Sequence, residues 1–469
     1  MEGDHLAEKY IKIKVCGSCF QGMNALKVLR MFHCELFQVS FQFLTNLQTL
    51  ELNDCKFSMN GISSIKNLSS LEILRIIDAD VSELPDEIFE LKNLKVLQLM
   101  IVSSLRSISP QAISRLSNLE EFCALECLDF LRNGSFEEQD ESFEQGKAFL
   151  TELNKLPRLK GLTLEIDEKL IAATGLIFHA LSTFNISVIS KDFDVDFADF
   201  TFVHTITLKF DHVNVRLFSP FINLLPSVEN LHLLFCDGFR NIIPDVHKGG
   251  DMKDLRELYL NSCPDVECVF DLAHVEDSLG ITLSNLTDLF LEDLDKLKCI
   301  WNGPSQHFRL QSLRKVEIMY CPNLEYVFPV HIGSSLLHLE ELYIYDCAAL
   351  KHVFAAYGSG GNADMITCLL PKLKGLHLKY CPQENFNFCL RRYHFIFPVL
   401  DRITVIGCPH MTTSFSIDTN GAVHAKARAE GEMSTQAITS TSSNDFVDDF
   451  EWERGDTEST LPLYMEADD

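Results

Sequence analysis

A short pattern of apolar positions recurs along most of this chain. It has the form L-x-x-L-x-L-x-x-C, with other apolar residues in place of some leucines. Fourteen copies are found, and most of them start 21 to 34 residues after the previous copy. This spacing is close to the period of roughly 20 to 29 residues that is typical of leucine-rich repeats. The copies start at residues 26, 47, 71, 94, 119, 159, 203, 228, 255, 286, 313, 339, 373 and 400.

The centre of each copy alternates between apolar and variable positions. A period of two predicts a short β-strand whose leucines point into the core. One strand per repeat predicts an α/β repeat solenoid, which is a leucine-rich-repeat horseshoe with a parallel concave β-sheet and an irregular or short-helical convex side. The segment SELPDEIFELKN has Pro85 ahead of an apolar i, i+3 pattern, as expected for a short helix on the convex side.

Cysteine occupies the last position of the pattern far more often than chance would place it there. With 16 cysteines in the chain, random placement would put roughly half a cysteine at that position over all copies, whereas nine are found. We interpret them as small buried side chains that line the interior, rather than as metal ligands or redox groups. The nine are Cys34, Cys55, Cys127, Cys236, Cys263, Cys321, Cys347, Cys381 and Cys408.

The pattern also predicts where the repeats begin, pause and end. Residues 1–25 form a lead-in or cap, and residues 26–410 form the solenoid. An acidic, turn-rich stretch at 130–149 predicts a loop or a short exposed helix. A degenerate repeat is expected near 168–202, with LSTFNISVI from residue 181 as its strand. Residues 411–469 have few large apolar residues in their acidic C-terminal part, and this predicts a disordered acidic tail.

The charge of the chain excludes some classes of partner. The formal net charge is -27, so nucleic acid and anionic membrane surfaces are not expected partners. No run of 18 apolar residues is present to cross a membrane. The N-terminus lacks the apolar stretch of a signal peptide, and we therefore expect a cytoplasmic protein.

The motifs of common catalytic and cofactor sites do not occur. The chain has no G-x-x-x-x-G-K-[ST] phosphate-binding loop, no G-x-S-x-G nucleophile elbow and no H-E-x-x-H metal motif. We therefore expect no enzyme activity, no cofactor and no metal site, and a protein ligand instead.

Side chains at the third, fifth and seventh positions of each copy face the solvent, so a ligand would be recognised there. The fifth position becomes aromatic in the later repeats, as in a binding hot spot. The alternative is that aromatic residues are present because they suit exposed strands. The candidate ligand-binding residues are His232, Tyr259, Phe290, Tyr343, Tyr345 and His377.

Several segments resemble those of one protein family. CFQGMNALKVLRM at 19–31, LPDEIFELKNLKVLQL at 84–99 and FLTELNKLPRLKGLTLEI at 149–166 resemble the leucine-rich-repeat region of plant coiled-coil nucleotide-binding (NLR) disease resistance proteins, as do turns such as CPNLEYVFP. The resemblance covers roughly residues 19–410. It implies a recognition and autoinhibitory module of innate immunity that senses a pathogen effector or a guarded host protein.

The family's nucleotide-binding module has no counterpart here, which suggests a truncated paralogue or an incomplete gene model. In the family, the first repeats pack on that module. The outward positions of the early repeats are unusually apolar, and the resemblance implies that they form a docking face for such a module. The candidate docking residues are Val28, Phe32, Ile73, Ile77, Val96 and Met100.

A second function remains open on sequence grounds. Leucine-rich repeats that end in cysteine also occur in F-box proteins, which recognise the substrates of ubiquitin ligases. Only 25 residues precede the first repeat, however, and an F-box needs about 40. We therefore regard a ubiquitin-ligase adaptor as the alternative to an immune recognition module.

Overall fold

The chain divides into two compact units. Unit 1 comprises Met1–Phe210 and Leu217–Leu224, and unit 2 comprises Asp211–Arg216 and Leu225–Asp469. The computed structural model describes residues 13–15, 18–36, 39–57, 63–79, 84–102, 105, 107–109, 111–125, 127–132, 140–189, 204–209, 215–245, 252–273, 283–303, 308–355, 365–384, 386–427 and 450–453.

Unit 1 is built on a parallel sheet with one strand from each repeat. Its order is β2-β4-β6-β7-β8-β9-β10-β11, and β1, β3 and β5 form a small second sheet. The strand at the degenerate repeat, β10, lies where the sequence predicts it. The strands are β1 (Ile13–Lys14), β2 (Val28–Phe32), β3 (Cys34–Leu36), β4 (Thr49–Asn53), β5 (Lys56–Phe57), β6 (Ile73–Ile77), β7 (Val96–Met100), β8 (Glu121–Leu125), β9 (Gly161–Asp167), β10 (Thr183–Ile189) and β11 (Thr205–Lys209).

Short helices connect the strands of unit 1. The helix predicted after Pro85 is present as a 3₁₀ helix, Asp86–Glu90, whose Ile88 and Phe89 are buried. The α-helices are α1 (Asp129–Arg132), α2 (Glu141–Leu153) and α3 (Glu168–Thr174), and further 3₁₀ helices span Ser63–Asn67, Ile113–Arg115 and Val215–Phe221.

Helix α2 corrects the prediction for residues 130–149, because it is neither a loop nor an exposed helix. Phe143, Phe149 and Leu153 lie on its buried face. The Phe149 ring packs on Phe122 and Phe130, with centroids 5.8 and 5.5 Å away. Glutamates occupy the other side of the helix. They make the overall composition of the segment acidic, so that composition alone does not reveal the apolar face. Residues 133–139 lie outside the described residues.

Unit 2 continues the same scheme with a second large sheet in the order β12-β13-β15-β17-β19-β22-β25-β28. All pairs are parallel except the last, in which β28 runs antiparallel to β25. The strands are β12 (Asn230–Leu234), β13 (Glu257–Asn261), β14 (Cys268–Asp271), β15 (Asp288–Glu292), β16 (Cys299–Asn302), β17 (Lys315–Met319), β18 (Tyr326–Pro329), β19 (Glu341–Tyr345), β20 (His352–Ala355), β21 (Ile366–Leu369), β22 (Gly375–Lys379), β23 (Asn387–Cys389), β24 (Tyr393–Phe397), β25 (Arg402–Ile406), β26 (Thr413–Ile417), β27 (Val423–Ala427) and β28 (Phe450–Glu453).

The sequence predicted an irregular or short-helical turn side. In unit 2 this prediction is only partly correct, because several turns contain strands. They form the sheets β14-β16, β18-β20-β23 and β21-β24-β27-β26. Their β-branched and aromatic residues favour strands, and their rings stack in the interior. Trp301 lies 4.8 Å from Phe270 and 6.2 Å from Phe328, measured between centroids. The helical elements of this unit are α4 (Ile242–Asp245) and the 3₁₀ helices Leu225–Ser227 and Val330–Ser335.

The interior confirms the interpretation of the cysteines. All nine cysteines at the last pattern position are buried, and all are free thiols. Cys263 shows their usual contacts, since its thiol donates to the carbonyl of Asn261 at 3.4 Å and to that of Leu233 in the preceding repeat at 3.4 Å. A small side chain with a weak donor thus ties its turn to the preceding repeat at Cys55, Cys127, Cys263 and Cys408.

The residue before the cysteine has a left-handed backbone in repeat after repeat. Asp54 has a φ of 46°, Tyr320 of 52° and Tyr380 of 53°, and the amide of Tyr320 donates to the carbonyl of Tyr345 in the next repeat at 2.9 Å. The left-handed conformation costs energy for a residue with a Cβ, and the hydrogen bond to the next repeat offsets it. This eighth position turns the chain out of the sheet and leaves its side chain at the sheet's edge.

Part of the predicted disordered tail is ordered. Within residues 411–469, β26 and β27 form an antiparallel hairpin that buries Phe415, Val423 and Ala425. The Asp418 carboxylate closes its turn by accepting from the amides of Asn420 and Ala422, both at 2.9 Å. The apolar positions that stabilise the hairpin are few but alternate, so composition alone does not reveal them.

Candidate functional site

The aromatic side chains predicted to bind a ligand lie in one column of the unit 2 sheet. Strand register places His232 beside Tyr259 and Tyr259 beside Phe290, with ring centroids 6.1 and 6.2 Å apart. The column continues with Glu317 and then with Tyr343 and His377, whose rings are 5.6 Å apart. The structure therefore brings the predicted residues together, but Glu317 divides them into two groups.

Hydrogen bonds hold the first group in place. The hydroxyl of Tyr259 donates to Glu292 Oε2 at 2.8 Å, and the Asn261 amide donates to the same oxygen at 2.7 Å. The imidazole of His232 contacts Glu257 at 2.9 Å. Burial raises the pKa of Tyr259 to about 12, and its hydrogen bond to Glu292 acts in the same direction. The phenol therefore remains a neutral donor at physiological pH.

The second group is larger than the sequence predicted. The Tyr345 ring lies 5.2 Å from the rings of both Tyr320 and Tyr380, measured between centroids, at the edge of the sheet. Tyr320 is 44% exposed and Tyr380 is 47% exposed. We call Tyr320, Tyr345 and Tyr380 the tyrosine rim.

Tyr320 and Tyr380 were missed because the sequence analysis considered only the third, fifth and seventh pattern positions. They occupy the eighth position, where the left-handed backbone projects the side chain outward. A usable signal was present, since both tyrosines immediately precede a cysteine of the pattern.

A depression lies beside the first aromatic group. It has a volume of about 290 Å³ and is lined by Tyr259, Phe290, Leu291 and Met319 together with Glu257, Glu292 and Glu317. The ammonium of Lys315 lies 4.9 Å from the Phe290 ring centroid and 2.9 Å from Glu317 Oε2. The protein thus places one of its own cations against this aromatic and acidic wall.

The early repeats carry the six predicted docking residues in two largely apolar columns of unit 1, each interrupted by one polar residue of β4, Thr49 or Asn53. Val28, Ile73 and Val96 occupy the third pattern position, and Phe32, Ile77 and Met100 occupy the seventh. Val28 is 51% exposed and Phe32 is 48% exposed, whereas the other four side chains are half-buried. Between the columns runs a polar one of Arg30, Glu51, Arg75 and Gln98, in which Arg30 and Glu51 pair at 3.3 Å and Arg75 donates to Gln98 at 2.7 Å.

The described residues form neither a metal-binding cluster nor a membrane-spanning helix. Among the described residues, no group of three or more histidine, cysteine, aspartate or glutamate side chains is arranged to hold a metal ion. The helices in the described part of the chain are all too short or too polar to span a membrane.

Comparison with known proteins identifies the type of repeat. Residues 218–348 match the family of plant disease resistance protein RPS2-like leucine-rich repeats. A disease resistance protein of Arabidopsis thaliana is 24% identical over 401 residues, and a putative one from the same plant is 21% identical over 373 residues. The matches cover 83% and 74% of this chain, which spans only 38% and 29% of the length of these relatives.

Among solved structures, a leucine-rich-repeat protein of Leptospira interrogans matches with 17% identity and a TM-score of 0.38, covering 79% of this chain and 89% of the other. The parallel one-strand repeats, the cysteine interior and the matching repeat family lead to one assignment. This chain is a leucine-rich-repeat protein that is similar to plant disease resistance proteins.

Proposed function

We propose that this chain acts in plant defense as a non-catalytic recognition and autoinhibitory module, which binds a pathogen effector or a guarded host protein in the cytoplasm. The observation that carries the proposal is the aromatic column of unit 2, in which His232, Tyr259, Phe290, Tyr343 and His377 share one sheet face in register.

The arrangement suits protein recognition for energetic reasons. Tyrosine and other aromatic residues dominate binding hot spots because they offer large contact areas and lose few rotamers. Here neighbouring rings contact one another and Tyr259 is held by hydrogen bonds. A partner would therefore meet a surface that is already ordered, and binding would cost little conformational entropy.

Two further observations support the autoinhibitory and cytoplasmic parts of the proposal. The apolar columns of unit 1, which include Val28 and Phe32, offer a face on which a nucleotide-binding module could dock. The described cysteines are all free thiols, and this is the usual state in the reducing cytosol.

Pairwise binding assays test the proposal. The purified full chain is assayed by biolayer interferometry against individually purified secreted proteins of plant pathogens and host defense proteins. At least one should bind. Phe290→Ala combined with Tyr343→Ala should weaken its binding by more than about 2 kcal/mol, which is about 30-fold, because two central rings are lost.

The matched control changes the same pattern position in unit 1. Arg75→Ala combined with Gln98→Ala should leave the affinity within about twofold, because these side chains lie outside the aromatic column. Equal losses in the two double variants, or no loss in either, would contradict the assignment of the aromatic column as the binding site.

A further inference from the structure

We propose that the unit 2 sheet binds a basic segment of its partner, and that the depression beside Tyr259 and Phe290 receives an arginine side chain from that segment. This inference rests on the proposed function, since it specifies the chemistry of the partner that the same face would bind.

Negative charge predominates on the central strands of the unit 2 sheet. Strands β13, β15 and β17 carry four carboxylates, Glu257, Asp288, Glu292 and Glu317, and only one cation, Lys315. The arginines just before β13 and β17 do not offset this charge, because Arg256 pairs with Glu229 and Arg314 pairs with Glu340, each at 2.9 Å. An incoming cation would therefore meet an excess of negative charge at the centre of the face.

The depression of about 290 Å³ combines two aromatic residues, Tyr259 and Phe290, with three glutamates, and Leu291 and Met319 complete its lining. A guanidinium group combines a flat surface that stacks on rings with a fork of N–H donors that matches a carboxylate. Hydrogen bonds from Tyr259 and Asn261 orient the Glu292 carboxylate, and the contact with His232 orients that of Glu257.

Lys315 shows how a cation is held beside this depression. Its ammonium lies over the Phe290 ring at 4.9 Å and pairs with Glu317 at 2.9 Å. The lysine side chain is 42% exposed and has a flexible stem, so a partner arginine can displace it and take over both contacts. The depression accordingly has the features of a cation-receiving site in the free protein.

Matched peptides test the inference on the full chain. The probes are a fluorescent peptide with three arginines separated by glycines, and the same peptide with citrulline, a neutral isostere of arginine. At about 0.15 M salt the arginine peptide should bind at least about tenfold more tightly, because only it forms charge-assisted and cation–π contacts. Equal affinities for the two peptides would overturn the proposal.

Variants separate a local site from the general acidity of the chain. Glu257→Gln combined with Glu292→Gln should weaken the arginine peptide about tenfold. The control, Asp86→Asn combined with Glu90→Gln, removes two exposed carboxylates from unit 1 and should change the affinity less than about twofold. Equal losses in the two variants would show diffuse attraction and would also overturn the proposal.

A third variant should bind the arginine peptide more tightly, which a misfolded protein would not do. Lys315→Met removes the internal competitor and should tighten the arginine peptide about threefold. Weaker binding would contradict the displacement of Lys315.

Two results separate this inference from the proposed function. A defense-related partner that depends on Phe290 and Tyr343, but binds equally well after its own arginines are replaced, would refute only the basic segment. Tight binding of the arginine peptide with no binding of any effector or host protein would count against the proposed function instead.

Discussion

The two units present opposite patterns on the solvent faces of their sheets. In the early repeats of unit 1 the central column is polar and ion-paired, as in Arg30 with Glu51, and the flanking columns are mostly apolar, with Thr49 and Asn53 as the exceptions in β4. In unit 2 the central column is aromatic, as in Tyr259 and Phe290, and charged residues such as Glu257 flank it. The same backbone register thus carries two different surfaces.

The comparison shows that the solvent face of a repeat varies independently of its core. Leucines and cysteines fill the interior in both units, and outward and buried positions alternate in strands such as β4 and β6 of unit 1 and β13 and β19 of unit 2. Because alternate side chains of a strand point to opposite sides, an outward residue can change without disturbing the packing below it. Function can therefore differ between units that share one fold.

The units also differ on the turn side. The described turns of unit 1 contain mainly short helices besides the small sheet of β1, β3 and β5, whereas several turns of unit 2 contain strands with a stack of buried rings. Larger buried side chains lose more contact area when truncated, so the interior of unit 2 should be the more sensitive to substitution.

The largest expected effect is on this ring stack. Trp301→Ala should lower the free energy of unfolding of unit 2 by about 3–5 kcal/mol, because a fully buried indole is lost. Trp301→Phe is the control. It retains a ring in the stack and removes a buried indole N–H that has no hydrogen-bond partner, so its cost should be below about 1.5 kcal/mol. Denaturant titration with hydrogen exchange on β15 and β17 measures both, and similar costs would contradict the role of the stack.

The next effect concerns the buried cysteines, which should make the stability of both units depend on pH in the same direction. Burial raises the pKa of Cys55 in unit 1 to about 11 and that of Cys347 in unit 2 to about 12, from the ordinary value of 9.0. The unfolded thiols ionise first as pH rises, so the free energy of unfolding should fall from pH 9 towards pH 11 to 12. The slope is at most about 1.4 kcal/mol per pH unit for each thiol.

Single replacements separate the contributions of the two thiols. Cys55→Ala and Cys347→Ala should each make this pH dependence shallower. A stability that does not change above pH 9 would contradict the burial of the thiols in both units.

A smaller effect concerns the apolar columns of unit 1. Phe32→Lys combined with Met100→Lys should reduce the fluorescence of a bound hydrophobic dye by about twofold and should reduce self-association, because exposed apolar area is lost. Light scattering provides the second readout. A wild-type chain that binds no dye and remains monomeric would argue against a docking face in this unit.

The smallest effect is expected in the polar column of unit 1, which contains Arg30, Glu51 and Arg75. Glu51→Gln should change the free energy of unfolding by no more than about 1 kcal/mol, since Arg30 and Arg75 are partly exposed and solvent screens their pairs with Glu51. The difference should vanish in 1 M salt. A larger loss of unfolding free energy that does not depend on salt would contradict the view that these ion pairs contribute little to stability.

The sequence predicted the large sheets well because their signal is local and repeated. Each of the fourteen copies of the pattern corresponds to a strand, and β10 adds the degenerate one. The column of His232, Tyr259, Phe290 and Tyr343 followed directly from the repeat alignment. Residues at equal pattern positions must be neighbours when parallel strands stack in register.

Elements outside the pattern were predicted less well, since their stability depends on contacts distant in the sequence. Helix α2 is ordered by the packing of Phe149 on Phe122 and Phe130, and the tail hairpin by the burial of Phe415 and Val423. A local period can mark the apolar face of each element, but it does not specify the distant residues that cover this face.

By itself, the sequence determined the repeat, its parallel register, the buried cysteines and the aromatic character of the later repeats. All of these depend on the spacing of residues along one chain, which stacking converts directly into neighbours. Only the tertiary structure decided that Tyr320 and Tyr380 join Tyr345 at the rim, and that Lys315 lies over Phe290 beside Glu317. Those contacts depend on backbone conformation and on side-chain direction across strands, which no pattern of residue types specifies.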